Sequence, residues 1–137
     1  MNRRAQLVFL SLIVAQVAHS IGEYVTKLYE VFAPARLVSN LVSQDLALGF
    51  LAVNATLVTF GLWCWAVPVR SGWRAARGLM WFWTILELGN GFGHSALALS
   101  RGGYFPGVLT APLLLLSSGW LAVIQTREAG RPSALPS

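Results

Sequence analysis

The 137-residue chain is 55% hydrophobic and 11% charged, with a mean hydropathy of +0.61. A soluble domain carries about 25% charged residues, and a chain this short has the large surface-to-volume ratio that most needs them, so a soluble monomer is excluded. The net charge of +5 does not signal nucleic acid, because the ten Lys and Arg residues are scattered at the ends of apolar runs without forming a basic stripe.

In chain order, the first apolar run covers residues 5–27, behind Arg3 and Arg4. At about 20 residues per crossing it is long enough to span a bilayer. A cleaved signal peptide is the alternative reading of this start. Gln16 would then fall at the −3 position, where a small residue is wanted, and the apolar run continues past it. Residues 28–45 are too polar to cross and too apolar to float free. Pro34 can open a short helix there with Leu37, Val38, Leu41 and Val42 on one face, predicting an interfacial helix.

Three further spans follow, at 46–69, 76–99 and 105–126. Cys64, the single cysteine, lies inside the second, which leaves no intramolecular disulfide and no cysteine-based zinc site. Backbone groups in lipid need internal partners, so the spans are helices. The predicted fold is therefore an all-α, four-helix transmembrane bundle forming one domain over residues 1–127. The tail 128–137, with two Pro and two Ser, is expected to be disordered.

Arg3, Arg4, Arg70, Arg74, Arg77, Arg127 and Arg131 fall on one side of this arrangement, against Lys27, Arg36 and Arg101 on the other. Positive charge marks the cytoplasmic side, so both termini are expected there, in a multi-pass protein of the cell membrane. The aromatic residues agree, with all six Trp toward the same side and the three Tyr toward the opposite one.

The functional signal is where the rare polar residues fall. Both histidines, His19 and His94, and two of the five acids, Glu23 and Glu87, lie inside predicted spans. Ionisable groups in lipid are functional candidates by default. His19 and Glu23 are i,i+4, and Gln16 joins their face one turn away. Glu87, Asn90 and His94 form a second stripe, at i, i+3 and i+7. At about 1.5 Å rise per residue, these groups and Asn54 come within roughly two turns of one depth, in the outer half of the membrane.

Two imidazoles, two carboxylates and nearby carboxamides suit a divalent metal such as Zn or Fe. A metal-free hydrogen-bond network between helices is the competing reading. Gly89, Gly91 and Gly93 permit close helix approach beside Asn90. Tyr104-Phe105-Pro106-Gly107 reads as a turn into the fourth span that can also hang the Tyr104 phenol over the chamber.

At these residues the chain resembles the HXXEE-domain family of small, mostly bacterial membrane proteins. The early motif reads His19-Ser20-Ile21-Gly22-Glu23; His94 supplies the later histidine, Tyr104-Phe105-Pro106-Gly107 follows it, and Thr110 stands in the next span. Gly22 occupies the first Glu position, which leaves Glu87 as the available second carboxylate. The resemblance implies a metal-dependent membrane enzyme, of hydrolase type.

The expected function is thus a membrane-embedded metalloenzyme acting on a lipid or other hydrophobic small molecule. His19, Glu23 and His94 would hold the metal, Glu87 and Tyr104 would take catalytic roles, and Asn54, Asn90, Thr110 and Gln16 would bind substrate. Alternatives are a small proton-coupled transporter working as a homodimer around a membrane Glu, a b-type haem protein with His19 and His94 as axial ligands, and a structural subunit.

Overall fold

The computed structural model describes residues 2–130. Six helices follow one another: α1 (Arg3–Val25), α2 (Leu28–Val31), α3 (Ala33–Val42), α4 (Leu46–Cys64), α5 (Ala76–Ser100) and α6 (Ala111–Ala129), with no strand among the described residues.

Local chemistry sets the helix ends. The Asn2 side chain accepts from Arg4 N, and Asp45 caps α4 by accepting from the amides of Ala47 and Leu48 at 2.9 and 3.1 Å. Lys27, in the left-handed region at φ 56°, separates α1 from α2. Pro34 stands in the first turn of α3, as its fixed φ allows. Past Cys64 the chain continues as a π-helical turn, Trp65–Val69. Pro68 lacks the amide that would bond four residues back, and Arg70 N reaches five residues back to Trp65 O instead.

The last helix differs from expectation. Residues 105–110 are not helical, because Gly107 sits at φ +87°, and α6 begins at Ala111 with Pro112, not Pro106, in its first turn. At its far end α6 continues to Ala129, through the start of the tail expected to be disordered, and residues 131–137 lie outside the described residues.

α1 packs on α4 and on α6, and α6 packs on α5, whereas α4 meets α5 through the Phe60, Phe82 and Trp83 rings. The start of α1 meets the end of α4 through Trp65 Nε1, which donates to Gln6 O at 3.1 Å. The end of α6 meets the start of α5 through Gln125 Nε2, which donates to Thr84 Oγ1 at 3.0 Å. The Arg4 guanidinium lies 5.5 Å from the Trp120 ring. Arg3, Arg4, Arg70, Arg74, Arg77 and Arg127 therefore share one end of the bundle, and α1 and α5 run the same way from it.

Two apolar clusters sit at opposite ends. Near the arginines, Phe9, Leu12, Ile13, Met80, Trp83 and Leu121 are buried; at the other end, Leu28 and Tyr29 of α2 pack with Phe50, Ala98 and Phe105. Between them lies a buried polar layer of Gln16, His19, Ser20, Glu23, Glu87 and His94. The outer surface is the reverse, with Leu7, Val14, Leu51, Phe60, Ile85, Phe92, Leu116 and Trp120 exposed around the long helices.

Two segments, Arg3–Val25 and Leu46–Val69, are long and apolar enough to cross a membrane. Arg77, Glu87, Asn90 and His94 interrupt the apolar character of α5, as Gln125, Arg127 and Glu128 do that of α6. The segment between these two helices forms α2 and α3, and α3 lies against the start of α4. Gly49 makes that approach possible, since a Cβ there would collide with the Ser39 carbonyl. Of the three glycines flanking Asn90, only Gly91 packs closely, against Leu115 and Ala111; Gly89 and Gly93 face open space.

Candidate metal centre

One turn apart on α1, His19 and Glu23 face inward together, and His94 reaches them from α5. His19 Nε2 lies 3.2 Å and His94 Nε2 2.9 Å from the same oxygen, Glu23 Oε1. The three side chains are buried, at 0%, 6% and 6% exposure for His19, Glu23 and His94, and one ligand atom from each lies within 4.8 Å of the others. The rings meet edge to face, with centroids 4.7 Å apart.

The loop before α6 fixes what the histidines present. His94 Nδ1 donates to the Pro106 carbonyl at 2.5 Å; a carbonyl only accepts, so the proton is on Nδ1. His19 Nδ1 lies 2.7 Å from Thr110 Oγ1, whose own proton goes to the Gly107 carbonyl at 3.1 Å. Thr110 therefore accepts, and His19 also carries its proton on Nδ1. This tautomer assignment follows from the hydrogen-bond network.

With both Nδ1 atoms occupied, both Nε2 atoms face Glu23 Oε1, and His19 Nε2 has no hydrogen-bond partner. In the neutral rings these are lone pairs, and two lone pairs and a carboxylate oxygen converging in a buried space repel one another unless a proton or a metal ion joins them. Metal-binding histidines hold their remote nitrogen in this way, on a carbonyl or similar acceptor. The separations from Glu23 also fit. Ligands about 2.0–2.1 Å from a tetrahedral Zn²⁺ lie about 3.3 Å apart, close to the 3.2 and 2.9 Å separations seen here.

Gly107 packs directly behind the rings. A Cβ built on it would stand 2.6 Å from His94 Nδ1 and 2.8 Å from His19 Cε1. On the other flank of His94 lies the buried Phe105 ring, with centroids 5.6 Å apart, and Arg101 covers that ring at 4.8 Å.

A cavity of about 280 Å³ opens beside the cluster, under α3. Glu23 and His94 form part of its wall with Gln16, Asn54 and Asn90, and Phe32, Val38, Phe50, Val53 and Leu57 supply the apolar remainder. Ser20 Oγ donates to Asn54 Oδ1 at 2.8 Å and lies 3.0 Å from the Gln16 amide. With its nitrogen turned toward Glu87, the Gln16 amide donates to both carboxylate oxygens, at 2.8 and 3.2 Å.

The expected site residues thus separate into groups. His19, Glu23 and His94 converge; Gln16, Asn54 and Asn90 line the cavity; Thr110 sits behind His19 and not in the cavity wall. Glu87, fully buried, is held by Gln16 and by Asn90 Nδ2 at 3.4 Å, outside both the three-residue cluster and the cavity lining. Tyr104 is 57% exposed and makes no side-chain hydrogen bond to these residues. The Pro106 carbonyl, Gly107 and Ser20 join the site unforeseen. The Pro-Gly pair twelve residues after His94 is the signal that could have found the first two.

At position 22, a side chain in place of the glycine would begin 3.8 Å from Thr110 Oγ1. No curated protein and no solved structure matches the chain. A family model described as "Protein of unknown function with HXXEE motif" matches residues 9–121, a stretch holding His19, Glu23, His94 and the loop that orients both rings. The chain belongs to this family of proteins with the HXXEE motif, with Gly22 where the motif has its first Glu.

Proposed function

We propose that the protein is a four-span membrane metalloenzyme, of hydrolase type, whose His19–Glu23–His94 centre holds Zn²⁺ or Fe²⁺ and acts on a lipid-soluble substrate. The observation that carries this reading is the convergence of two Nδ1-protonated imidazoles on one carboxylate oxygen, with His19 Nε2 lacking any hydrogen-bond partner.

The exposed apolar side chains around every long helix support lipid as the surrounding medium. α5 has 25 residues and α6 has 19, which suits each to a crossing of about 30 Å. The arginine-bearing end would be cytoplasmic, with both termini on that side. His19 lies sixteen residues beyond Arg3, about 24 Å along α1, which puts the centre in the outer half of the bilayer.

A divalent metal held there supplies Lewis-acid polarisation of a substrate oxygen and activation of water. The protein's own groups do the rest. The Pro106 carbonyl and Thr110 hold the imidazoles in one tautomer and orientation. Asn54, Asn90 and Gln16 offer amides to a polar substrate group in the cavity. Glu87 acts as a positioning residue through Gln16 and Asn90, since these two stand between it and the cavity.

The test is metal analysis of the detergent-purified protein beside a His19→Ala/His94→Ala variant. One metal per chain, lost in the variant, is the expected result. No metal in either protein after metal loading would overturn the reading and favour a proton-coupled transporter or a packing network.

A further inference from the structure

Resting on that reading, we infer that the substrate is an amphiphile of fatty-acid or acyl-ester type. Its compact, oxygen-bearing head would occupy the chamber beside His94, and a hydrocarbon chain would run along α4 in the groove that adjoins it.

The chamber adjoins a second space. A groove of about 460 Å³ on α4 is lined by Ala52, Val53, Thr56, Leu57 and Phe60, with Val42 of α3 at its upper end. Val53 and Leu57 line both this groove and the chamber, so the two adjoin. Each volume is of ligand size or close to it, against about 300–1,000 Å³ for binding pockets in general.

The two spaces differ in chemistry. The chamber offers the amides of Gln16, Asn54 and Asn90 together with Glu23 and His94. The groove offers hydrocarbon, for its one polar residue, Thr56, already spends its hydroxyl on the Ala52 carbonyl at 2.8 Å. A polar pocket beside an apolar slot selects a molecule with a head and a tail.

The path is also of chain shape. The groove runs along α4 and is open on its outer side, where Thr56 and Phe60 are exposed. Aromatic contacts stop it at one end, with the Phe60 ring 6.3 Å from Phe82 and 6.1 Å from Trp83. From Ala52 to Phe60 the slot is about 12 Å long at 1.5 Å per residue, parallel to the helix axes and so to lipid chains. A third space, on the α1–α4 side, shares Phe50 and Asn54 with the chamber.

The test uses the full-length protein in phosphatidylcholine vesicles. The probe is a long-chain fatty acid with a photoreactive diazirine at its chain end, and adducts are mapped by mass spectrometry. Adducts concentrated on Thr56, Leu57 and Phe60 are expected. Excess unlabelled palmitate should displace them, and Thr56→Trp, which fills the slot, should reduce them at least fivefold. Ala52→Phe serves the same purpose should Thr56→Trp fail to fold.

Adducts spread over the outer faces of α5 and α6, or unaffected by palmitate or by slot filling, would overturn the inference. Metal content of the same samples separates the two claims. Metal bound with diffuse labelling refutes the chain slot alone; slot labelling without metal refutes the metal centre and leaves the amphiphile site standing.

Discussion

Gly107→Ala is the sharpest perturbation of this site, because its consequences can be worked from two separate costs. The residue sits at φ +87°, where an L side chain is strained, and left-handed backbone costs a non-glycine residue about 1–2 kcal/mol. The added methyl would also stand 2.6 Å from His94 Nδ1 and 2.8 Å from His19 Cε1. Overpacking of this kind costs about 1–3 kcal/mol, for a total loss of about 2–5 kcal/mol. Gly102 is the internal control: its φ is +67°, but a Cβ there meets nothing within 4 Å. Gly102→Ala should therefore lose only the backbone part, about 1–2 kcal/mol. The assay is thermal unfolding in detergent with parallel metal titration. Gly107→Ala should be the less stable variant and should lose at least tenfold in metal affinity, while Gly102→Ala keeps wild-type affinity. Equal stability and equal metal affinity in the two variants would refute the claim that Gly107 exists to let the loop close on the histidines.

Other outcomes follow from the same geometry. Thr110→Val removes the acceptor for His19 Nδ1 and should weaken metal binding about 10–100-fold, the usual cost of losing such a partner; Thr110→Ser should recover it, and a metal titration of the three proteins decides. Tyr104→Phe should leave metal affinity unchanged, since the phenol is exposed and bonds to none of the site residues; a tenfold loss would contradict that placement. Gln125→Met should cost less than about 1 kcal/mol in an unfolding assay, because its buried Oε1 already lacks a partner and Thr84 keeps its bond to the Met80 carbonyl.

Much of the site was legible because helix periodicity is a strict ruler. His19 and Glu23 at i,i+4 had to share a face of α1, and the stripe Glu87, Asn90, His94 had to look inward once lipid was taken as the outside. The partners of the histidines' remote nitrogens were not legible in the same way. One is a backbone carbonyl, at Pro106, and carbonyls carry no residue identity. The start of α6 was misplaced because Pro106 and Pro112 are both acceptable first-turn residues. The choice is made by Gly107, whose positive φ keeps the loop out of the helix while its bare Cα lies against the histidine rings, a tertiary contact that no local pattern encodes. Spacing makes Glu87 a direct participant because it gives a face and a depth but not what stands between. Gln16 and Asn90 stand there. Tyr104 was expected over the chamber from its place in the loop, yet its neighbour Phe105 takes the inward position beside His94.

The central claim is that one cation joins His19, Glu23 and His94. X-ray absorption at the edge of the bound metal, on protein purified in detergent and loaded with Zn²⁺ or Fe²⁺, tests it most directly. The account predicts imidazole scattering from two rings, with nitrogen and oxygen ligands at about 2.0–2.2 Å, and loss of that imidazole signature in the His19→Ala/His94→Ala variant. A coordination shell without imidazole, or one unchanged in the variant, would contradict it.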